Sequence, residues 1–238
     1  MATDTDLGFY RYHQDFDVTA IGDLPEVDVQ SATGVTTAIL ADQRGGVVEV
    51  PVGSSNDDDV AAVSSNLNFQ VEAGGLTGSV RFKVDTSIAD MKFFVGFGDV
   101  IASADETSFS ATTDTVTIDT MSDAIGFLFD NDATTKRVWV VAGKADAVTL
   151  GQALDSNYTA AKIALNTYHT FKVSVSSDGL FAEFSIDGKV VYTHTGTTPI
   201  ITLTAPLAIG FWAYEQGTAC EYEVDYLNAV NPRDSGDN

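Results

Sequence analysis

Residues 168–194, YHTFKVSVSSDGLFAEFSIDGKVVYTH, alternate apolar and polar side chains across two short glycine-containing turns, and they constrain the fold more than any other stretch. Side chains on a strand point to alternate faces, so Phe171, Val173 and Val175 fall on one face and Lys172, Ser174 and Ser176 on the other. Ser177-Asp178-Gly179 and Asp187-Gly188 supply the turns, because Gly and Asp tolerate the positive φ of a tight hairpin. Consecutive hairpins of this kind belong to an antiparallel β-sandwich.

The same alternation recurs elsewhere, with Gly, Asp, Ser and Asn clustered between the apolar segments, and the chain reads as all-β. Strands are expected at 46–52, 67–72, 78–84, 92–97, 124–129, 137–141, 169–176, 180–186, 189–194, 206–213 and 221–230. That number exceeds a minimal immunoglobulin sandwich and suits a jelly roll of two large antiparallel sheets. Helix is minor, with short turns expected at 86–90 and 151–162. The 238 residues fit one β domain. The expected division is an N-terminal arm with the first strand or strands at 1–45, the sandwich at 46–230 and a polar tail at 231–238.

Thirty-four acidic residues stand against 12 basic ones, a net charge of −22. Direct nucleic-acid binding needs clustered Lys and Arg and is not expected. The opening MATDTDLGFYRYHQDFD has no basic or apolar signal region. No apolar run reaches the ~18 residues of a membrane helix. Cytoplasmic synthesis of a soluble chain without membrane contact is therefore expected. Cys220 is the single cysteine, which leaves no internal disulfide and no cysteine-based zinc cluster.

Glu221, Glu223 and Asp225 alternate along one strand, which lines up their carboxylates at steps of roughly 7 Å. Two nearby carboxylates are what glycoside hydrolysis requires. The same alternation also arises when Tyr222, Val224 and Tyr226 pack inward and the acids face water. Asp57, Asp58 and Asp59, and Asp130 with Asp132, offer hard oxygen ligands for Ca²⁺ but lack EF-hand spacing. No other cofactor is expected. His13, His169 and His194 are scattered, with no zinc-like spacing. No Gly-x-Ser-x-Gly elbow is present. Trp139, Trp212 and Tyr214 are candidate sugar-facing rings, since sandwiches can present aromatic faces to glycans.

Four stretches, RFKVDTSIADMKFFVGFGD (81–99), DAIGFLFDNDATTKRVWVVAGK (123–144), the 168–194 hairpins and EYEVDYLNAV (221–230), together resemble concanavalin A-like, laminin-G-like jelly-roll proteins of tailed-bacteriophage virions. The resemblance spans roughly 46–230, and FYRYHQDFD looks like the first strand. It implies a concanavalin A-like jelly-roll sandwich and a non-enzymatic capsid decoration (cement) protein on the outer virion surface. The implied partners are the major capsid protein and further copies of the chain, as a dimer or trimer. Phe9, Tyr10, Tyr12 and Phe16 are then the expected capsid contacts. Similar folds include lectins, which makes a glycan-binding module the alternative, and laminarinase-type glucanases, the third possibility. Those glucanases carry a Glu-x-Asp-x-Glu type strand. Glu221-x-Glu223-x-Asp225 departs from it in residue identity and lies in the closing strand, so no catalytic roles are carried over.

Overall fold

The computed structural model describes residues 9–16, 27–30, 38–40, 46–52, 60–84, 91–100, 109–159, 163, 166–215 and 220–232. They form seventeen strands: β1 Phe9–Asp15, β2 Val27–Gln30, β3 Ala38–Ile39, β4 Val48–Val52, β5 Val60–Ser65, β6 Leu76–Val84, β7 Met91–Gly98, β8 Phe109–Thr112, β9 Thr115–Ile118, β10 Ala124–Asp130, β11 Val138–Lys144, β12 Ala147–Ala153, β13 His169–Val175, β14 Phe181–Ile186, β15 Lys189–Thr195, β16 Ala208–Glu215 and β17 Cys220–Pro232. A 3₁₀ turn spans Val71–Ala73. Among the described residues, no helix is long and apolar enough to cross a membrane.

Two large antiparallel sheets carry the fold. The first, sheet A, runs β15-β14-β13-β6-β17-β4-β3, with β1 also paired to β17. Sheet B runs β12-β11-β10-β7-β16-β5-β2. The expected two-sheet jelly roll is therefore the architecture found. Phe82, Phe171, Phe184 and Tyr222 from sheet A meet Phe93, Phe127, Phe129 and Phe211 from sheet B, in contacts such as Phe82–Phe211 at 4.9 Å and Phe127–Phe171 at 4.8 Å between ring centroids. Such edge and tilted pairs add about 0.5–1.5 kcal/mol each to simple burial.

The hairpins at 168–194 form as the alternation requires. Phe171, Val173 and Val175 are buried, and positive φ angles at Gly179 (66°), Asp187 (50°) and Gly188 (77°) make the turns. Other expectations are corrected. Residues 67–72 are not a strand: Phe69 makes one isolated bridge to Leu207, and Val71 enters the 3₁₀ turn. Of the helical turn expected at 151–162, Gly151–Ala153 instead end edge strand β12 and a turn closed from Tyr158 N to Asp155 O at 3.1 Å follows; residues 160–162 lie outside the described residues. The turn expected at 86–90 lies outside the described residues.

The first 45 residues contribute β1, β2 and β3 to the two sheets. The closing strand β17 runs to Pro232, and Asn231 fastens it by donating to Gln70 O at 2.9 Å.

A third layer covers the outer face of sheet B. The two-stranded β8–β9 hairpin pairs with neither large sheet. It packs on Phe94, Leu128, Trp139, Val141, Trp212 and Tyr214, contributing Phe109 and Ala111 to a second buried cluster. Gly143 and Gly151 make this seating possible. A Cβ at Gly143 would stand 2.1 Å from Ile118 Cδ1, and one at Gly151 would stand 2.9 Å from Val116 Cβ.

Candidate functional site

β17 lies between β4 and β6 near the middle of sheet A, with Tyr222 and Val224 fully buried against sheet B. Alternation then turns Glu221, Glu223 and Asp225 onto the sheet's outer face. Register places Glu223 directly opposite Glu49 of β4 on one side and Lys83 of β6 on the other. One row across three strands therefore reads Glu49, Glu223, Lys83. Directly opposed residues have Cβ atoms about 4.5–5.5 Å apart, so the row gathers two carboxyl groups and an ammonium.

Glu223 is held at both oxygens. Lys83 Nζ lies 2.7 Å from Oε1, and the Tyr168 hydroxyl donates to Oε2 at 2.5 Å. Asp225 pairs with the Arg81 guanidinium, which also sits over the Tyr168 ring at 4.4 Å from its centroid. Burial pushes the Tyr168 hydroxyl well above the usual phenol range, and the bond to Glu223 and the charges of Glu223 and Asp225 add to the effect. Tyr168 is thus a proton donor to a fixed, ion-paired carboxylate.

The alternation resets at Asp225. A register shift between Val224 and Tyr226 sets both Asp225 and Tyr226 at the level of Arg81. Leu227 and Ala229 resume the buried face. Tyr226, expected to pack inward, is instead half-buried and touches the exposed His13 ring at 5.8 Å between centroids.

The other candidates scatter. Trp212, Tyr214 and Trp139 are 0%, 2% and 5% exposed beneath the β8–β9 hairpin, so they present no open ring face. Lys92 bridges to that hairpin, with Nζ 2.7 Å from Ser110 Oγ and 4.9 Å from the Tyr214 ring centroid. Tyr12 and Phe16 belong to the central core and cannot anchor a partner. Phe9 and Tyr10 pair with Pro232 and Asn231 through β1.

Asp130 is buried and spends its carboxylate on backbone, accepting from Ala111 N at 2.8 Å and Asp132 N at 2.9 Å. Asp132 is exposed beside it. Asp57, Asp58 and Asp59 lie outside the described residues. Among those described, no three metal-binding side chains gather around one point. His169 is held by Asp187, Nδ1 to Oδ2 at 2.8 Å, beside a cavity of about 80 Å³ lined by Tyr158, Asn157 and Phe171.

Glu49, Lys83, Arg81 and Tyr168 went unnoticed as site residues in the sequence. Only Glu49, alternating with Val48 and Val50, carried a local signal of facing outward with the acids.

No protein-family model matches the chain, and a search of curated proteins finds no match. Among solved structures, it is similar to a protein of unknown function from Shewanella oneidensis MR-1, at 16% identity and TM-score 0.68, covering 98% of this chain and 90% of that one. It is also similar to a Bacillus licheniformis β-glucanase, at 15% identity and TM-score 0.57 over 92% and 97% of the two chains. A prokaryotic β-1,3-1,4-glucanase (lichenase) from a mouse hindgut metagenome is similar at 15% identity and TM-score 0.54 over 93% and 99%. At these identities the likeness establishes the concanavalin A-like jelly-roll fold.

The comparisons also correct the expectation of a non-enzymatic capsid decoration protein. The functionally named structures sharing this fold are mostly carbohydrate-active enzymes, glucanases among them, which favours the third possibility weighed from sequence over a shell protein.

Proposed function

We propose that the protein is a carbohydrate-active enzyme that cleaves a neutral glucan on the outer face of sheet A. The observation that carries this reading is the Glu49–Glu223 pair, two carboxyl side chains directly opposed across β4 and β17 on an outward face. Directly opposed residues have Cβ atoms about 4.5–5.5 Å apart, which puts the two carboxyl groups within reach of the ~5–5.5 Å separation that retaining glycoside hydrolysis uses. The jelly-roll fold common to glucanases is consistent with it.

Glu223 takes the part of the nucleophilic carboxylate, since Lys83 and Tyr168 pair with its two oxygens and orient it. Its oxygen attacks the anomeric carbon as the glycosidic C–O bond breaks, and Glu49 gives its proton to the leaving oxygen. Water then attacks the same carbon, Glu49 takes the water's proton, and Glu223 is released. Glu221, one step along the strand, is placed to bond a sugar hydroxyl. With a net charge of −22, the chain repels polyuronates and other polyanions, and a neutral polymer fits it better.

Reducing ends released from β-1,3-1,4-glucan and β-1,3-glucan by the full chain test the reading. Turnover should fall roughly 10²- to 10⁴-fold in Glu223→Gln and in Glu49→Gln, the range for loss of an acid–base or covalent partner. No turnover of either glucan by the folded wild type, or undiminished turnover in both variants, would refute it.

A further inference from the structure

β17 breaks its alternation beside the paired acids. The shift between Val224 and Tyr226 puts an extra residue opposite β6. A bulge of this kind re-aims a side chain and is common next to functional sites. Here its result is specific. A ring that regular alternation would bury emerges on the same face as Asp225, one residue from the carboxylate that Arg81 holds.

The neighbouring strand β1 completes a patch around that ring. Asp15 stands opposite Tyr226, and His13 stands opposite Asn228. The four residues make a square on the ladder, with the two rings on one diagonal and a carboxylate and an amide on the other. His13 and Asp15 are exposed, and Tyr226 and Asn228 are half-buried. The rings meet at 5.8 Å with planes 46° apart, which leaves them splayed rather than closed on each other.

A flat apolar ring face beside hydrogen-bonding groups is the chemistry that recognises a pyranose. The C–H face of the sugar covers the ring, and its equatorial hydroxyls reach the flanking amide and carboxylate. The square holds no Lys or Arg and includes the Asp15 carboxylate, so it suits a neutral sugar better than a sulfate or uronate.

We infer that His13, Asp15, Tyr226 and Asn228 form a sugar-binding subsite that seats one ring of a neutral glucan next to the acid row, with Tyr226 as its stacking platform. The inference rests on the placement of the reacting carboxylates given above. It assigns the bulge a function in binding, and it extends the glycan path along β17 from Glu223 toward Asn228.

Equilibrium binding separates this subsite from the cleavage chemistry. The probe is β-1,3-1,4-glucan, measured by affinity electrophoresis on full-length Glu223→Gln, with thermal melts confirming that each variant is folded. Adding Tyr226→Ala should weaken binding about tenfold or more, and Asn228→Ala a few-fold. Tyr226→Phe should bind like its parent. In the enzyme with Glu223 intact, Tyr226→Ala should raise KM while leaving kcat within about twofold, a split that a merely structural role would not give.

Unchanged binding in folded Tyr226→Ala and Asn228→Ala would overturn the subsite even if the wild type cleaves glucan. Weakened binding without any wild-type turnover would keep the subsite and remove the hydrolase. No binding by the parent would remove both.

Discussion

The two outer faces of the sandwich come from the same two-residue alternation and end in opposite states. On sheet B the outward positions are Phe94, Leu128, Trp139, Val141, Trp212 and Tyr214, and a separate hairpin covers them. On sheet A they are Glu49, Arg81, Lys83, Glu223 and Asp225, neutralised partly by one another and covered only in part, by Tyr168 over Arg81, Lys83 and Glu223 rather than by a separate hairpin among the described residues. Apolar outward residues must be hidden and so become a second core. Charged ones can remain at the surface if they pair, and a face that stays open can meet a ligand. The difference separates stability from chemistry within a single fold.

The sharpest way to break that contrast is to truncate a ring beneath the hairpin. Trp212 is fully buried although it points away from the main core. Trp212→Ala should cost about 3–5 kcal/mol, as for a core aromatic, read from urea unfolding. A cost below about 1 kcal/mol would mean that the ring lies on an open platform after all, and the two faces would no longer differ in kind.

On sheet A the corresponding change acts through charge. Lys83 and Glu223 have side chains only 14% and 10% exposed. Lys83→Met leaves the Glu223 carboxylate without its nearest cation and should destabilise by about 2 kcal/mol, less than a deeply buried broken pair. Lys83→Met with Glu223→Gln should recover part of that loss, because the stranded charge is gone. Additive losses in the double-mutant cycle would show that the pair is not coupled.

Much of this was legible in the chain, for a physical reason. Inner strands with one buried face, such as β13 and β14, wrote their orientation into alternation, and Asp-Gly turns fixed their register. The outward set of acids on β17 was equally plain. Sheet B was harder, because β10 and β11 are buried on both faces and read as continuous apolar runs. Nothing in those runs announces a covering hairpin, and β8 and β9 were missed.

Edge strand β12 is mostly exposed and carries no buried alternating face, so nothing in 147–153 marked it as a strand. The site's partners were invisible for another reason. Tyr168 lies 55 residues from Glu223, and Arg81 lies 144 from Asp225. They meet only through register across three strands. The bulge at Asp225 carries no Gly or Pro to signal it, so Tyr226 was assigned to the wrong face.

The smallest effect comes from pH, and it too distinguishes the faces. Burial, then the hydrogen bond and charge of Glu223, raise the Tyr168 hydroxyl above the ordinary value of about 10. In alkaline solution the folded protein therefore keeps a proton that the unfolded chain has lost. Stability from this group is present below about pH 10 and declines as pH rises above it, since the native state binds more protons there. Urea midpoints across about pH 9 to 11.5 should fall more steeply for wild type than for Tyr168→Phe, which has no phenol to titrate. Trp212→Phe, on the covered face, should lower the midpoint at every pH without changing the slope. If Tyr168→Phe retained the wild-type slope, Tyr168 would not be coupled to Glu223, and the acid row on sheet A would lose the group that fixes its second oxygen.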